Sequence, residues 1–463
     1  MFINSVRLCC LTQANLSPIK PGRFTPTEQV VNVNDVIDNA TFKPFHWQVL
    51  FWCLLIIIFD GYDLVIYGVA LPLLMEQWSL TPVEAGMLAS SALVGMMFGA
   101  MIFGTLADKF GRKKIIMVCT AFFSGFTFLG AFAPSPTEFA ILRFLAGLGI
   151  GGVMPNLVAL TSEYAPKKSR ATMVSLMFSG YAVGGIISAL LGSFLVKDYG
   201  WEIMFYLAGV PLVGFPIIWR YLPESLTYLV KDNKQSLGRH IIQKIDPSLH
   251  VTDNTKLVLN EAAPTATGKP QDSSFKALFT EGRAFGTLMF WTAFFMCLLM
   301  TYTLSSWLPK LMLSAGYSLK GSIMFLFALN IGAMVGAIAG GYLADRFHLK
   351  PVIVTMCALA AVSISALAIN SPPIILYSLV AVAGATTIGT SILLYSYLAQ
   401  FYPLHIRTTG IGCASAVSRI GAIVGPIITG FLLAMSLPHA YNFLAIGIPA
   451  LIATIAMAVL KRS

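Results

Sequence analysis

Charge is what this 463-residue chain has least of: Asp, Glu, Lys and Arg together make up 11% of it, against 57% hydrophobic residues and a mean hydropathy of +0.77. Soluble domains carry about a quarter charged residues, so a water-soluble fold is excluded. Cysteine is present without a pattern. Cys53, Cys119, Cys297, Cys357 and Cys413 stand singly inside apolar runs and Cys9-Cys10 lies outside them, so neither a disulfide framework nor metal-ligand spacing exists. No nucleophile, base or metal constellation is visible either, which argues against an enzyme. The first thirty residues lack a charged start, a long apolar core and a small-residue cleavage site. They do not read as a signal peptide, and the working chain is expected to begin near Val30.

What is present is apolar length. Runs at 44–75, 85–107, 115–137, 139–162, 171–196, 203–219, 284–309 and 322–344 each have the length that crosses a hydrocarbon core of about 30 Å. Two longer stretches are two spans each: 351–404 breaks at Asn370-Ser371-Pro372-Pro373, and 408–460 breaks near Leu437-Pro438. The expectation is an all-α membrane protein of twelve transmembrane helices. The net charge of +10 implies no nucleic-acid partner, because the basic residues are sorted by side of the membrane. Lys109 to Lys114, Lys167 to Arg170, Arg346, Lys350, Arg407, Lys461 and Arg462 share one side. The loops after spans 1, 3, 9 and 11 hold no Lys or Arg. Both termini are therefore expected in the cytoplasm.

A constant offset of 237 links Gly104-Thr-Leu-Ala-Asp108-Lys-Phe110 to Gly341-Tyr-Leu-Ala-Asp345-Arg-Phe347, and also Pro166 to Pro403, Arg170 to Arg407 and Gly184 to Gly421. The chain thus divides into a cytoplasmic N-terminal segment (1–43), a six-helix bundle (44–221), a cytoplasmic linker (222–283), a second bundle (284–460) and a tail (461–463). The two bundles are pseudo-symmetric halves about an axis along the membrane normal. Residues 31–38 with Phe45-His46-Trp47 read as an amphipathic lead-in at the interface. The polar linker, with Thr265 to Pro270 in it, suits one or two short surface helices before Ala262.

Asp60 and Asp63 interrupt the first span and project from one helix face, with Tyr67 a turn further on. Each costs several kcal/mol there unless paired, protonated or wetted. Arg143 in span 4 and Arg419 in span 11 fall at a similar depth, about 20 Å from the cytoplasmic side at 1.5 Å per residue. None of the four has a charged counterpart at the 237 offset: Asp60 matches Cys297, Asp63 Met300, Arg143 Val380 and Arg419 Ala182. Gly147-Leu-Gly-Ile-Gly-Gly152 matches a dinucleotide fingerprint literally, but it lies within a span with no preceding strand. Its small residues read instead as helix-packing positions, like Gly95/Gly99, Gly180/Gly184 and Gly332/Gly336. Pro155 is expected to kink span 4, with Asn156 able to satisfy a freed backbone group.

Gly104-x-x-x-Asp108-Lys-x-Gly111-Arg112-Lys113 resembles the signature loop of the major facilitator superfamily, with a weaker copy at Gly341 to Lys350 where His348 and Leu349 replace the Gly and Arg. Arg143-Phe-Leu-Ala-Gly-Leu-Gly and Pro223-Glu-Ser-Leu are also similar to its patterns. Asp60-Gly-Tyr-Asp63, Val153-Met-Pro-Asn156 and Glu163-Tyr-Ala-Pro166 resemble the aromatic acid:proton symporters within it. The resemblance implies uptake of an aromatic carboxylate, benzoate first, with a proton across the bacterial inner membrane. No cofactor beyond the proton gradient is implied, and a monomer suffices. Another organic anion, such as 4-hydroxybenzoate or muconate, or drug/proton antiport are the alternatives; span 5 lacks the Gly-Pro pair of antiporters, though Gly425-Pro426 stands in span 11.

For such a carrier, Arg419 suits the substrate carboxylate and Arg143 is a second candidate, unless it serves a structural ion pair with the acids of span 1. Asp60 or Asp63 suits the proton. Tyr67, Tyr181, Tyr302, Trp307 and Tyr395, with Phe178, are candidates to stack on the ring. The resemblance further implies a gate of Asp108, Gly111 and Arg112, with Asp345 and Arg407 as second-half counterparts and Glu163 as a partner for Arg112.

Overall fold

The computed structural model describes residues 30–247, 249, 251–252, 255–259, 275–369 and 371–460; Cys9-Cys10, the 265–270 stretch and the 461–463 tail lie outside them. Among the described residues twelve helices are long and apolar enough to cross a membrane. A strand β1 (Val30–Asn32) and helix α1 (Val33–Asn39) come first. Five spans follow: α2 (Pro44–Gln77), α3 (Pro82–Phe110), α4 (Arg112–Gly130), α5 (Pro136–Tyr164) and α6 (Arg170–Tyr199). The sixth span, Glu202–Tyr221, is built from α7 (Glu202–Leu207) and α8 (Val210–Tyr221). The linker carries α9 (Leu226–Lys231), α10 (Gln235–Ile245), strand β2 (Lys256–Val258) and a 3-10 turn at Phe275–Leu278. The second half is α11 (Ala284–Ser314), α12 (Leu319–Phe347), α13 (Leu349–Ala366), α14 (Pro373–Phe401), α15 (Leu404–Ala434) and α16 (His439–Val459).

Local chemistry sets the tight connections. At the start of α3, the Thr81 hydroxyl accepts from the Glu84 N–H at 3.3 Å while the Glu84 carboxylate accepts from the Thr81 N–H at 2.9 Å, so two orphan donors are satisfied together. Pro82 then holds the first helical position, which needs no N–H. Ser318 caps α12 through the Gly321 N–H at 3.2 Å. Between α3 and α4 the chain reverses at Gly111, whose φ of +96° favours glycine. Its counterpart His348 adopts φ +69° without that freedom.

The repeat seen in the sequence is also a repeat of contacts. A Cβ added at Gly95 would collide with the Phe144 carbonyl, and one at Gly332 with the Ala381 carbonyl; both partners are offset by 237. The same holds for Gly99 on Leu148 and Gly336 on Ala385, for Gly147 on Ala92 and Gly384 on Leu329, and for Gly184 on Ile58 and Gly421 on Phe295. Helices in a bilayer gain no hydrophobic driving force from one another, so they associate where small residues let backbones touch. These glycines fix α3 on α5, α12 on α14, α2 on α6 and α11 on α15. At Gly68, whose missing Cβ faces the Ser305 carbonyl, the two halves meet across the pseudo-symmetry axis itself.

The halves are closed at one face and open at the other. Ser90 donates to the Ile423 carbonyl at 2.6 Å, Gly86 abuts Pro426, Gly430 abuts Pro82, and the Lys320 ammonium sits 4.4 Å from the Phe194 ring centroid. All of these lie on the side opposite the linker. Gly104 and Gly412 are each 18 residues, five turns, from Gly86 and Gly430, so they share those azimuths on α3 and α15. Yet nothing stands within 4 Å of either missing Cβ. The basic face, with the linker and the Lys/Arg-rich loops, is the open one.

At the basic face the lead-in folds as α1, and the linker carries two short helices before Ala262, α9 and α10. The structure adds a contact between the two segments. β1 pairs in parallel with β2, Val30 against Lys256 through Asn32 against Val258. Val31, Val33 and Ile37 bury in one apolar cluster with Ile242, Ile245 and Leu257, and Asp38 bonds Arg170 at 2.6 Å. Two three-residue strands so far apart in the chain leave no periodic signal, and only their shared apolar face joins them.

Candidate functional site

The acids of α2 have different surroundings. Asp63 is 1% exposed and is held by Arg143 of α5, whose Nη1 donates to its two carboxylate oxygens at 3.1 and 3.0 Å. Nη2 of the same guanidinium donates to the Asp63 carbonyl at 3.3 Å, and Thr127 stands 3.5 Å from Nη1. This is a dry ion pair inside the first half, and it leaves Arg143 committed away from the space between the halves. Asp60, one turn earlier, is fully buried, and both its carboxylate oxygens are without a hydrogen-bond partner.

Gly61 explains how other groups reach Asp60. A Cβ there would lie 2.8 Å from the Tyr181 carbonyl carbon, so its absence lets α6 press directly on α2. Tyr181 is half-buried and stands near Tyr302 of α11, in the other half. Both phenols interact electrostatically with Asp60, and Tyr302 also with Arg419 and Tyr395. Arg419 on α15 is half-buried and donates to the Met96 carbonyl of α3 at 3.0 Å, again across the halves. Tyr395 is half-buried and set edge-on to Phe294 at 4.7 Å between centroids. One cluster thus joins Asp60 and Tyr181 of the first half to Tyr302, Tyr395 and Arg419 of the second.

Two aromatic candidates, Tyr67 and Trp307, are committed elsewhere. Tyr67 is 3% exposed and donates to the Ala85 carbonyl at 2.6 Å, tying α2 to α3. Trp307 is fully buried and donates through Nε1 to the Pro426 carbonyl at 3.0 Å, tying α11 to α15. Phe178, on α6, is 37% exposed. Helical spacing alone could not separate these tying side chains from lining ones, because their partners are carbonyls of other spans.

At the basic face Arg112 is ion-paired to Glu163. Glu163 also accepts from the Ser225 hydroxyl at 2.9 and 2.8 Å and from the Thr227 N–H at 2.6 Å. Glu224 accepts from the N–H groups of Lys113 and Ser225, each at 2.9 Å, and a Cβ at Gly111 would come 2.5 Å from its carboxylate. Burial pushes the Glu224 carboxyl above the ordinary glutamate range, against the pull of those two donors. These contacts all lie within the first half and the start of the linker. Asp108 is exposed, Arg407 donates to the Tyr402 carbonyl at 3.4 Å, and the side chain of Asp345 lies outside the described structure.

The chain matches the Major Facilitator Superfamily over residues 53–347 and again over 319–463. It belongs to that superfamily. A benzoate transport protein of Acinetobacter baylyi is 53% identical over 427 residues, 91% of each chain. A gentisate transporter of Corynebacterium glutamicum is 35% identical over 88% of this chain and 85% of its own, and the 4-hydroxybenzoate transporter PcaK of Pseudomonas putida 31% over 93% and 95%. Among solved structures, the partially occluded inward open xylose transporter XylE of E. coli has a TM-score of 0.70 at 15% identity, covering 91% of this chain and 98% of that one. At that identity the likeness carries the fold. As a superfamily member whose relatives are transporters, the protein is a carrier and not an enzyme.

Site partners of this superfamily member that the sequence reading missed are the Met96 carbonyl, Phe294, and the Glu224–Ser225 corner. The Pro223-Glu-Ser-Leu motif signalled that corner, but only folding brings it under Arg112 and Lys113. Asn156 donates to the Gly152 carbonyl at 2.8 Å, whereas the carbonyl that the missing N–H of Pro155 frees is that of Gly151.

Proposed function

We propose that the protein carries an aromatic carboxylate, benzoate first, into the cell together with a proton, by alternating access about the site between its halves. The single observation behind this reading is the presence at one inter-half site of an orphaned buried carboxyl, Asp60, and a half-buried guanidinium, Arg419. Arg419 gives one N–H to Met96 and keeps the rest of its planar fork for a carboxylate. Tyr302 and Tyr395 offer ring faces. A carboxylate with no donor on either oxygen carries an uncompensated charge in a dry site, so Asp60 is the group there that a proton neutralises. Asp63 is matched by Arg143 and has no such need. The relatives, transporters of benzoate, gentisate and 4-hydroxybenzoate, suggest the substrate class.

The basic face is the cytoplasmic one by the positive-inside rule, which makes this the inward-facing state of an inner-membrane carrier acting as a monomer, with the proton gradient as its only driving force. The test is reconstitution in proteoliposomes with acid outside. Labelled benzoate accumulates and the lumen acidifies with it; uptake indifferent to a protonophore overturns the coupling. Asp60→Asn abolishes driven uptake. Thermal-shift measurements with benzoate, 4-hydroxybenzoate, gentisate, gallate and muconate rank the substrates, and stabilisation by none of them overturns the class.

A further inference from the structure

The seam between α3 and α15 changes character along its length. Away from the basic face it is closed by main chain, with Gly430 on Pro82 and Gly86 on Pro426, and then by Ser90 donating to the Ile423 carbonyl at 2.6 Å. Nearer the basic face a long side chain takes over: Arg419 Nη1 donates to the Met96 carbonyl at 3.0 Å. About two turns beyond Met96, nothing stands within 4 Å of the missing Cβ of Gly104. Side chains lean towards the N-terminus of their helix, which for α15 is the basic face. Arg419 thus spans the seam where it begins to widen.

Two departures from the internal repeat meet at that carbonyl. At the offset of 237, Arg419 matches Ala182 and Gly151 matches Ile388. A Cβ at Gly151 of α5 would collide with the Met96 carbonyl oxygen, so this glycine lets α5 lie against α3 with the carbonyl between them. The Gly147 contact one turn earlier recurs in the second half at Gly384; the Gly151 contact does not. We propose that the Arg419–Met96 bond is a latch that holds the carrier open at the basic face until a substrate carboxylate draws the guanidinium away, with Gly151 as its positioning residue. The proposal rests on the reading above, in which Arg419 meets the carboxylate, and adds what Arg419 holds before that meeting. The Met96 carbonyl lies within a helix, so one lone pair serves the helix and the second is open to Arg419. A hydrogen bond to an ionised carboxylate is roughly twice as strong as one between neutral groups, and an arginine fork prefers to make two of them in parallel. The anion therefore wins the guanidinium from the carbonyl, and the seam loses the bond that spans it. Return of the unloaded carrier must break the latch unaided, so exchange outruns net uptake.

Ser90→Cys, as the sole cysteine, replaces a side chain that is 3% exposed in the closed part of the seam. An impermeant maleimide applied at the face opposite the linker then reports how often that face opens. Without substrate and at fixed pH, Arg419→Met and Gly151→Ala each label about tenfold faster or more than the parent, the worth of one hydrogen bond to a charged group. The double variant labels no faster than Arg419→Met, because both changes act through one bond. In the parent, benzoate raises the rate; benzamide, with the same ring and no charge, does not. Each variant is first shown monodisperse by gel filtration, and Arg419→Met alone carries the test if Gly151→Ala does not fold. Labelling of Arg419→Met at or below the parent rate overturns the latch, and an additive double variant removes Gly151 from it. Benzoate that stabilises the parent to heat yet leaves its labelling unchanged overturns release by substrate. A wild type that neither binds nor accumulates benzoate overturns the substrate reading instead, and leaves the substrate-free comparison standing.

Discussion

Leucine at Gly86 and leucine at Gly104 should push this carrier in opposite directions, although the two residues share one face of α3. A Cβ at Gly86 would lie 2.5 Å from the Pro426 carbonyl oxygen and 3.1 Å from the Ile427 Cα, both backbone atoms that cannot rotate away. The larger side chain therefore penalises the state in which the face opposite the linker is closed. Gly104 has nothing within 4 Å, so leucine there costs nothing in the present state. When the basic face closes, Gly104 swings towards the azimuth of Gly412 on α15 and the same leucine collides. Overpacking of this kind costs about 1–3 kcal/mol, which moves the ratio of the two states by about 5- to 150-fold. The assay is labelling of a single cysteine at 413, beside Gly412 and half-buried here, by an impermeant maleimide applied at the basic face of oriented vesicles. Gly104→Leu labels at least as fast as the parent and loses transport; Gly86→Leu labels more slowly. Shifts in the same direction, or normal transport by Gly104→Leu, would refute the assignment of these faces.

Three further outcomes follow from named contacts. Asp63→Asn leaves the Arg143 charge buried without a counter-charge, a loss of about 3–5 kcal/mol; the melting temperature of the detergent-solubilised protein should drop, and the apolar pair Asp63→Leu with Arg143→Met should recover most of it. Glu224 has its carboxyl pushed up in the folded state, so the stability linked to its proton is present below the ordinary value of 4.5 and is lost as pH rises through the raised one. Melting curves from acid to neutral pH should slope downward more steeply for wild type than for Glu224→Gln. Gly61→Ala drives a methyl into the Tyr181 carbonyl and should cost about 1–3 kcal/mol while slowing transport, measured by melting and benzoate uptake; a neutral result would mean that α6 does not rest on α2 there.

Much of this molecule was legible in one dimension because a bilayer simplifies the rules. Every span must satisfy its own backbone, so apolar length alone marked the twelve helices. The 237 offset carried the two halves, because four glycines that let two spans touch recur with their partners, as Gly95 with Phe144 and Gly332 with Ala381. Asp60, Asp63, Arg143 and Arg419 announced themselves by their cost. What spacing could not tell was which partner each had found. Asp60 and Asp63 are three residues apart on one helix face, yet one is clamped by Arg143 and the other has no donor, a difference made wholly by α5 and α6. Tyr67 and Tyr181 looked alike as candidates until the Ala85 carbonyl claimed one and left the other beside Asp60 and Tyr302. The pairing of β1 with β2, and the open basic face beside a closed opposite one, likewise depend on residues far apart in the chain. Burial cost is local and shows in the sequence; compensation is long-range, and the tertiary structure alone assigns it.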